Sequence, residues 1–295
     1  MALATNPIDI NTGTTGVVLP REISREVWNT AMEESVVMRL ARRIDLPGYG
    51  INVPIVDAEV AVDIVAESTE KPVVTPEIGN KFMAPIKIAG IIPFSNEFRR
   101  DMSRDYDTIV RDAPRSIFSK FDRLVFNGVN GAAPATGFDT LADATAVALA
   151  GTDVYADLVS AKTAVANGDG MLNGWVFAPQ GEAVLLSVVD GNNRPLFIDS
   201  PTSDGGVGRL LGEQVYYTKH LYKAGTPNLI GVAGDWDQAY YGVVEDITVK
   251  FSDQATINDG TNQINLWQRN MFAILIEATL GFAVKDKAAF VTLTD

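Results

Sequence analysis

Few side chains in this sequence could carry acid–base or nucleophilic chemistry. The chain has no cysteine, and His220 is its only histidine, which excludes thiolate nucleophiles, histidine triads and sites with several histidine ligands. Ionisable groups are concentrated between residues 57 and 77, where the single lysine Lys71 lies among the acids Asp57, Glu59, Asp63, Glu67, Glu70 and Glu77. Taken alone, this pattern predicts a solvated loop whose charges keep an exposed strand edge from aggregating.

Short motifs for cofactors and metals are equally weak. The glycine-rich run at 206–212 misses the spacing of a dinucleotide-binding loop, so it predicts a turn. Residues 167–170 (Asn-Gly-Asp-Gly) begin like a calcium loop but lack the later ligands, and they predict the end of a helix followed by a turn. We expect no cofactor, no bound metal and no conventional enzyme activity.

Composition limits the class of protein further. Of the 295 residues, 46% are hydrophobic, enough for about two domains with packed cores, and no apolar run approaches the ~20 residues of a membrane-spanning helix. The net charge is −13, with the basic residues dispersed among acids, so specific binding of nucleic acid is not expected. The first residues lack the basic and apolar regions of a secretory signal.

The element that must position Lys71 is a hairpin. Apolar and polar residues alternate from 51 to 64 and again from 82 to 92, which is typical of strands with one apolar face. We predict one long β-hairpin over 51–95 with its turn region between Glu67 and Lys81. Because an isolated two-stranded ribbon is only marginally stable in water, we expect this hairpin to lie on another copy of the chain.

The first half of the chain also predicts an arm and two helices. Residues 1–20 are polar and predict an extended arm, and the apolar spacing over 21–43 predicts a helix. A long amphipathic helix is predicted over 105–127, kinked by Pro114 and stopped by Gly128.

The second half predicts a loop, a mixed unit and long strands. The small residues of 128–150 predict a loop, and 151–245 alternates helices and strands as a compact α/β unit. Within it we predict helices at 153–165 and 181–189 and strands at 175–178, 214–218 and 228–233. The segments 246–251 and 262–293 predict long strands.

Short stretches in order along the whole chain carry a resemblance to a known family. They are VLPREI (18–23), SVV (35–37), LAR (40–42), PFSNE (93–97), FNG (126–128), PATG (134–137), LLG (210–212), GDW (234–236), GFAV (281–284) and AFV (289–291). In order and spacing they resemble landmarks of the phage major capsid proteins with the Hong Kong 97 fold.

The resemblance implies an α+β fold with four parts. These would be an N-arm with a first helix at 1–51, an extended β-hairpin loop at 52–92, a peripheral domain at 93–139 and 246–280 built on a long spine helix at 105–127, and an α/β axial domain at 140–245 and 281–295. In this fold the extended loop lies across the adjacent subunit, and the axial domain meets its copies around five- and six-fold axes.

The implied function is structural. Pentamers and hexamers of this major capsid protein would form an icosahedral shell that encloses phage double-stranded DNA without sequence-specific binding. The implied partners are further copies of the chain and separate scaffolding, portal and decoration proteins, with no membrane. The protein would be part of the virion after assembly in the host cytoplasm.

One type of member cross-links its shell through lysine–asparagine isopeptide bonds assisted by a glutamate. By alignment with that type, Lys71, Asn270 and Glu277 fall at the three positions. The amine of Lys71 would attack the carboxamide of Asn270, ammonia would leave, and Glu277, with its pKa raised by desolvation, would accept the proton. If 270–277 is a strand, its rise separates Asn270 from Glu277 by ~23 Å, so the site would need different subunits.

Three alternatives stay open from the sequence. In the first alternative, Asn270 and Glu277 are ordinary strand residues and Lys71 pairs with the carboxylate of a neighbour. The second keeps the fold but makes the chain an encapsulin or a gene-transfer-agent shell protein. The third is a cytosolic α/β enzyme, suggested by 151–245 alone, which lacks candidate catalytic residues.

Overall fold

The computed structural model describes residues 35–56, 64–65, 71, 78–101, 103–149, 153–188, 208–258 and 263–295. The arm predicted at 1–20 and most of the helix predicted from residue 21 lie outside these ranges. The described helices are α1 Val36–Leu40, α2 Asn96–Asp101, α3 Ser103–Asn127, α4 Val154–Asn167 and α5 Pro179–Leu186.

The described strands form two larger and two smaller sheets. The strands are β1 Arg42–Asp45, β2 Ile51–Val56, β3 Ile78–Met83, β4 Ile86–Ser95, β5 Thr145–Ala148, β6 Gly174–Phe177, β7 Arg209–Leu210, β8 Glu213–Tyr217, β9 Leu229–Gly234, β10 Ala239–Ser252, β11 Thr256–Asn258, β12 Gln263–Asn265, β13 Met271–Val284 and β14 Phe290–Thr294. The sheet orders are β1-β10-β13-β4, β5-β14-β9-β6-β8-β7, β2-β3 and β11-β12. The architecture is α+β, as predicted.

The long helix α3 shares a core with the four-stranded sheet. Its apolar residues recur every three or four positions, and Phe118, Phe121 and Val125 are buried there. The even-numbered residues of β13 are buried in the same core, where the rings of Phe121 and Phe282 meet edge-on with centroids 6.5 Å apart.

The predicted span and stop of this helix are confirmed. The helix continues through Pro114, and the kink predicted there stays a prediction. It ends before Gly128, which takes φ 59° and donates its N–H to the Leu124 carbonyl. Because a side chain is strained in that left-handed conformation, glycine is the residue suited to this stop.

A second core lies between the six-stranded sheet and helices α4 and α5. Leu158 and Val165 of α4 and Leu185 of α5 are buried against Trp175 and Phe177 of β6. The opposite face of this sheet joins the first core, chiefly through valine and phenylalanine side chains. The helices and strands predicted in this α/β unit are therefore confirmed, with ends that differ by a few residues.

The predicted long hairpin is wrong in its returning strand. That strand divides at 84–85: β3 pairs with β2, whereas β4 pairs with β13 from Ile86 opposite Leu280 to Ser95 opposite Met271. Residues 86–95 thus have a partner within their own chain, and they belong to the four-stranded sheet. The alternation was correct for both halves, because it reports one apolar face and not the strand that lies alongside.

Three other boundaries also differ from the prediction. Residues 42–43, expected in the first helix, begin β1, which pairs in parallel with β10. Residues 145–148, expected in a loop, form β5 beside β14. β10 begins at Ala239, inside the segment expected to be α/β. In each case pairing with a strand distant in sequence decides the structure.

A buried carboxyl group connects α3 to the start of α1. The Ser35 hydroxyl donates to Asp122 Oδ1 at 2.6 Å, and the Val36 N–H donates to Oδ2 at 3.2 Å. The Ser35 oxygen also accepts the Met38 N–H, as a helix cap does. Burial raises the pKa of Asp122 to about 7, because the desolvation of the charged form outweighs these hydrogen bonds.

We predict that Asp122→Asn flattens the pH dependence of stability near neutrality. The folded-state pKa of Asp122 lies above its ordinary value of 3.8. The contribution of Asp122 to the free energy of unfolding is therefore complete below pH 3.8 and is lost as the pH rises through about 7. Between about pH 5 and 8 this loss amounts to about 2 to 3 kcal/mol in the free energy of unfolding.

Urea unfolding of the unassembled protein at several pH values measures the effect. Asp112→Asn, an exposed change on the same helix, is the matched control and should keep the wild-type pH profile. The same profile in wild type and Asp122→Asn would contradict the prediction.

Candidate functional site

Glu277 lies in the middle of β13, on the face of the four-stranded sheet that points away from the α3 core. Its side chain is only 10% exposed, yet both carboxylate oxygens bind a lysine. Lys87 of β4 donates to Oε2 at 3.0 Å, and Lys250 of β10 donates to Oε1 at 2.5 Å. The Thr248 hydroxyl adds a longer contact of 3.4 Å to Oε1. One carboxylate therefore joins three strands.

The electrostatics of this group differ from the expectation for a proton acceptor. Hydrogen bonds from Lys250 and then Lys87 lower the pKa of Glu277 to about 2, whereas the cross-linking hypothesis expected a raised pKa. The pKa of Lys87 is raised in turn, mainly by its hydrogen bond to Glu277. Within one chain Glu277 is thus a firmly ionised bridge between two lysines that are each about half exposed.

Asn270 belongs to the turn that precedes β13 and is not a strand residue. It takes φ 52°, a left-handed conformation that asparagine tolerates better than most residues. Its carboxamide oxygen accepts a hydrogen bond from Nδ2 of Asn96 at 2.9 Å, and its backbone carbonyl accepts the Asn96 N–H at 3.1 Å. The exposed Asn270 is therefore held in place by the start of α2.

The structure does not bring the three predicted residues together within one chain. Lys71 is exposed, and the six acids around it in the sequence lie outside the described residues. Asn270 and Glu277 are at the start and the middle of the β13 segment, ~23 Å apart by the rise of a strand. A site that uses all three would have to combine different copies.

Lys87 and Lys250, the two lysines that bind Glu277, were not predicted as partners from the sequence. Each lies between two apolar neighbours, Lys87 between Ile86 and Ile88 and Lys250 between Val249 and Phe251. That alternation could have placed them on the polar face of their strands. It could not have placed them beside Glu277, because the strand register was unknown.

Metal-binding clusters and membrane-spanning helices are both absent from the described part of the chain. It contains no group of three or more His, Cys, Asp or Glu side chains placed to hold a metal ion. None of its helices combines the length and apolar character needed to cross a membrane.

Comparison with known sequences places the chain in one family. Residues 15–295 match the model of the phage capsid family. The probable major capsid protein of Mycobacterium phage L5 is 28% identical over 293 residues, which cover 94% of this chain and 89% of that protein.

Solved structures share the fold at lower identity. A chain from Mycobacterium phage Ogopogo has a TM-score of 0.73 at 19% identity, with 97% of this chain and 94% of that chain covered. The capsid of an empty GTA particle has a TM-score of 0.62 at 15% identity, with 97% and 94% covered.

We predict that Glu277→Gln lowers stability at neutral pH, because two lysines would then lie close together without a counter-charge. The pKa of Glu277 is lowered from 4.5 to about 2. Its contribution to the free energy of unfolding is therefore present above pH 4.5 and is lost as the pH falls through about 2. The expected loss at neutral pH is about 1 kcal/mol, reduced by salt because the lysines are partly solvated.

Denaturant unfolding at low and high salt measures this difference. Asp112→Asn, which breaks the exposed pair with Arg115 on α3, is the control and should cost less than ~0.5 kcal/mol. Equal losses for the two variants would show that the bridge does not stabilise the sheet.

Proposed function

The chain belongs to the phage capsid family and is a shell-forming major capsid protein of the virion, and we propose that each copy lays its hairpin on an adjacent copy. Here the hairpin means β2, β3 and the residues between them. The shell would be icosahedral, built from pentamers and hexamers, and would enclose double-stranded DNA. Separate scaffolding, portal and decoration proteins are further proposed partners.

The observation that carries the hairpin proposal is its pairing. In the described part of the chain β2 and β3 form a sheet of their own, which is marginal in water without a surface to cover it. Phe82 of β3 remains 44% exposed even though its ring lies beside Gly50. A second copy of the chain is the surface that a shell protein always has available.

The base of the hairpin is firmly held by the body of its own chain. Met83 is buried with Leu46 and Ala283, and Lys81 pairs with Asp139 at 3.0 Å. At Gly50, where φ is 88°, an added Cβ would come within 2.7 Å of the Phe82 ring and the Met83 carbonyl. These contacts fix the described base of the hairpin to the rest of the chain.

The two larger sheets support the proposed division into domains. The four-stranded sheet with α3 would be the peripheral domain, extended to include β4 from Ile86 and β10 from Ala239. The six-stranded sheet with α4 and α5 would be the axial domain. The last strand, β14, supports the return of the chain to this domain because it pairs there with β5 and β9.

We predict that removing the outer part of the hairpin prevents shell assembly without unfolding the protein. Val56 and Ile78 are directly paired, so a two-residue Asn-Gly turn in place of 57–77 closes the ribbon at its last described pair. The buried base is left unchanged. The variant should stay folded by circular dichroism and form no closed shells by negative-stain electron microscopy.

A control separates loss of the surface from loss of length. In it, 57–77 is replaced by a glycine–serine segment of the same length, which keeps the chain reach but not the side chains. It should also fail to assemble. Normal shells from the Asn-Gly variant would contradict the hairpin proposal.

Covalent cross-linking of Lys71 to Asn270 is a second proposal for the same contact between copies. It is supported by the exposure of both side chains and by Asn96, whose amide donates to the Asn270 carboxamide oxygen and would polarise the carbonyl under attack. Glu277 could accept a proton only after the contact between copies loosens its lysine partners, because its pKa is low in the single chain.

The cross-linking proposal predicts a ladder of multimers when assembled shells are boiled and run on a denaturing gel. Each bond would release one ammonia. Mass spectrometry would therefore find the joined peptides lighter than the sum of the two separate peptides by the mass of one ammonia. Lys71→Arg and Asn270→Asp should each assemble but give no ladder. Closed wild-type shells without a ladder would reject the cross-link and leave the three residues as interface or surface residues.

A gene-transfer-agent shell is a second candidate for the particle, since the capsid of a GTA particle shares the fold. An encapsulin shell has the same physical requirements. The contents of purified particles distinguish the three. A phage capsid would hold the phage genome, a gene-transfer agent would hold host DNA fragments, and an encapsulin would hold a cargo enzyme.

A further inference from the structure

A buried carboxyl group lies where the start of α1 meets α3, and the shell function makes no use of it. Asp122 is fully buried, and a buried carboxylate ordinarily pairs with a cation because a lone charge inside a protein is costly. In the described part of the chain its hydrogen-bond donors are neutral: the Ser35 hydroxyl and the backbone N–H groups of Val36 and Val37. An acid in this position can change its charge within the folded protein.

The charged side chains on the elements packed against α3 are engaged elsewhere. Those elements include α1, β4, β13 and the 3₁₀ turn that ends at Asp143. Arg39 of α1 lies over the Tyr216 ring, 5.0 Å from its centroid, and Asp143 pairs with Lys287. Glu277 of β13 and its lysine partner on β4 lie on the opposite face of the four-stranded sheet. The helix α2 precedes α3, whose first residue is ~28 Å from Asp122 by the helical rise.

The neighbours of Asp122 on α3 supply no counter-charge either. Lys120 and Arg123 are exposed, and Arg115 pairs with Asp112. Burial therefore has the largest effect on the buried carboxyl group and raises the pKa of Asp122 to about 7, although the hydrogen bonds from α1 act in the opposite direction.

The hydrogen-bond geometry accommodates both charge states of the carboxyl group. The Ser35 oxygen lies 2.6 Å from Oδ1 of Asp122, a distance typical of a hydroxyl–carboxyl hydrogen bond. The hydroxyl donates to the ionised form, and the neutral form can donate its own proton to the Ser35 oxygen. The Val36 N–H donates to Oδ2 in either state. The neutral form thus keeps the contact without burying a charge.

The helix that Asp122 holds also contacts the six-stranded sheet. Arg39 packs over the ring of Tyr216 in β8. A Cβ added at Gly174 in β6 would lie 3.7 Å from Cδ2 of Leu40. The start of α1 is bound to α3 and its end to the six-stranded sheet, so this short helix joins two parts of the fold.

We propose that the contact between Asp122 and the start of α1 is a proton-controlled latch, closed when the carboxyl group is neutral and released when it ionises. In the open state the carboxylate is hydrated and binds a proton with ordinary affinity, whereas the closed state binds a proton more tightly. A falling pH therefore favours the closed state. The latch is a property of a single folded chain. It makes one connection between α3 and the six-stranded sheet adjustable by pH.

Hydrogen–deuterium exchange of the unassembled protein tests the latch. Four amides report on it, because the N–H groups of Val36, Met38, Arg39 and Ala41 are all hydrogen-bonded at α1. After division by the intrinsic exchange rate, their protection in wild type should fall roughly tenfold per pH unit between pH 5 and 7 and level off above pH 7. The total fall between pH 5 and 8 should be about a hundredfold.

The amides of α4 are the internal control for opening of the whole chain. Those of Leu158, Ala161 and Val165 belong to the second core, away from Asp122, and their protection should stay constant over this pH range. An equal fall at α1 and α4 would overturn the latch, because Asp122 would then act on global unfolding only. A constant protection of α1 in wild type would also overturn it.

Two variants separate the charge from the packing. Asp122→Asn imitates the neutral acid, since its amide can donate to Ser35 while its carbonyl accepts the Val36 N–H, and α1 should stay protected at every pH. Asp112→Asn, an exposed change on the same helix, should behave as wild type. A wild-type pH profile in Asp122→Asn would overturn the proposal.

Ser35→Ala provides a test that keeps the carboxyl group. It removes a donor to the ionised form, so the pKa of Asp122 should rise further and the fall in α1 protection should continue beyond pH 7. An unchanged end point of the fall would overturn the latch. Since the measurements use unassembled chains, their outcome is independent of whether shells form.

Discussion

The apolar contact between α3 and β13 is the constraint on which the rest of the structure depends. Every second residue of this fourteen-residue strand enters the core that it shares with α3. Because the side chains of a strand alternate between its faces, burying one set fixes the direction of the other. The same contact therefore places Glu277 on the opposite face, where Lys87 and Lys250 approach it from the strands on either side.

From β13 the fold extends to both ends of the molecule. At one end the strand begins beside Asn270 and the start of α2. At the other it leads into β14, which enters the six-stranded sheet. Ala283 also contacts Met83 at the base of the hairpin. A displacement of this strand would thus shift both sheets and the base of the hairpin. Such coupling suits a subunit that must act together with its neighbours.

One part of the described chain is incomplete in isolation. Strands β2 and β3 form a two-stranded sheet of their own, which needs a surface to cover it in water. The excess acidic charge of the chain acts against indiscriminate contact between copies and against adhesion to nucleic acid. Copies that repel each other generally, and attract at a few defined places, assemble into an ordered shell in preference to an aggregate.

Local periodicity accounts for what the sequence determined by itself. A backbone has few allowed conformations, so apolar spacing of three to four residues gave α3 and α4, and alternation gave β2, β4 and the long strands near the end. Turn and cap chemistry acts over a few residues, and Gly128 was correctly predicted to end α3. Motif order along the chain gave the capsid family. These signals are all local, or are sums of local signals.

Only the tertiary structure decided which distant segments meet. Lys87 and Glu277 are 190 residues apart, and Asp122 and Ser35 are 87 apart; no local pattern sets such pairs. β4 was assigned to the hairpin and β5 to a loop because their pairing with β13 and β14 is fixed by the packing of whole sheets. Periodicity shows that a residue lies on a polar face. Which partner it finds there depends on strand register, a property of the complete fold.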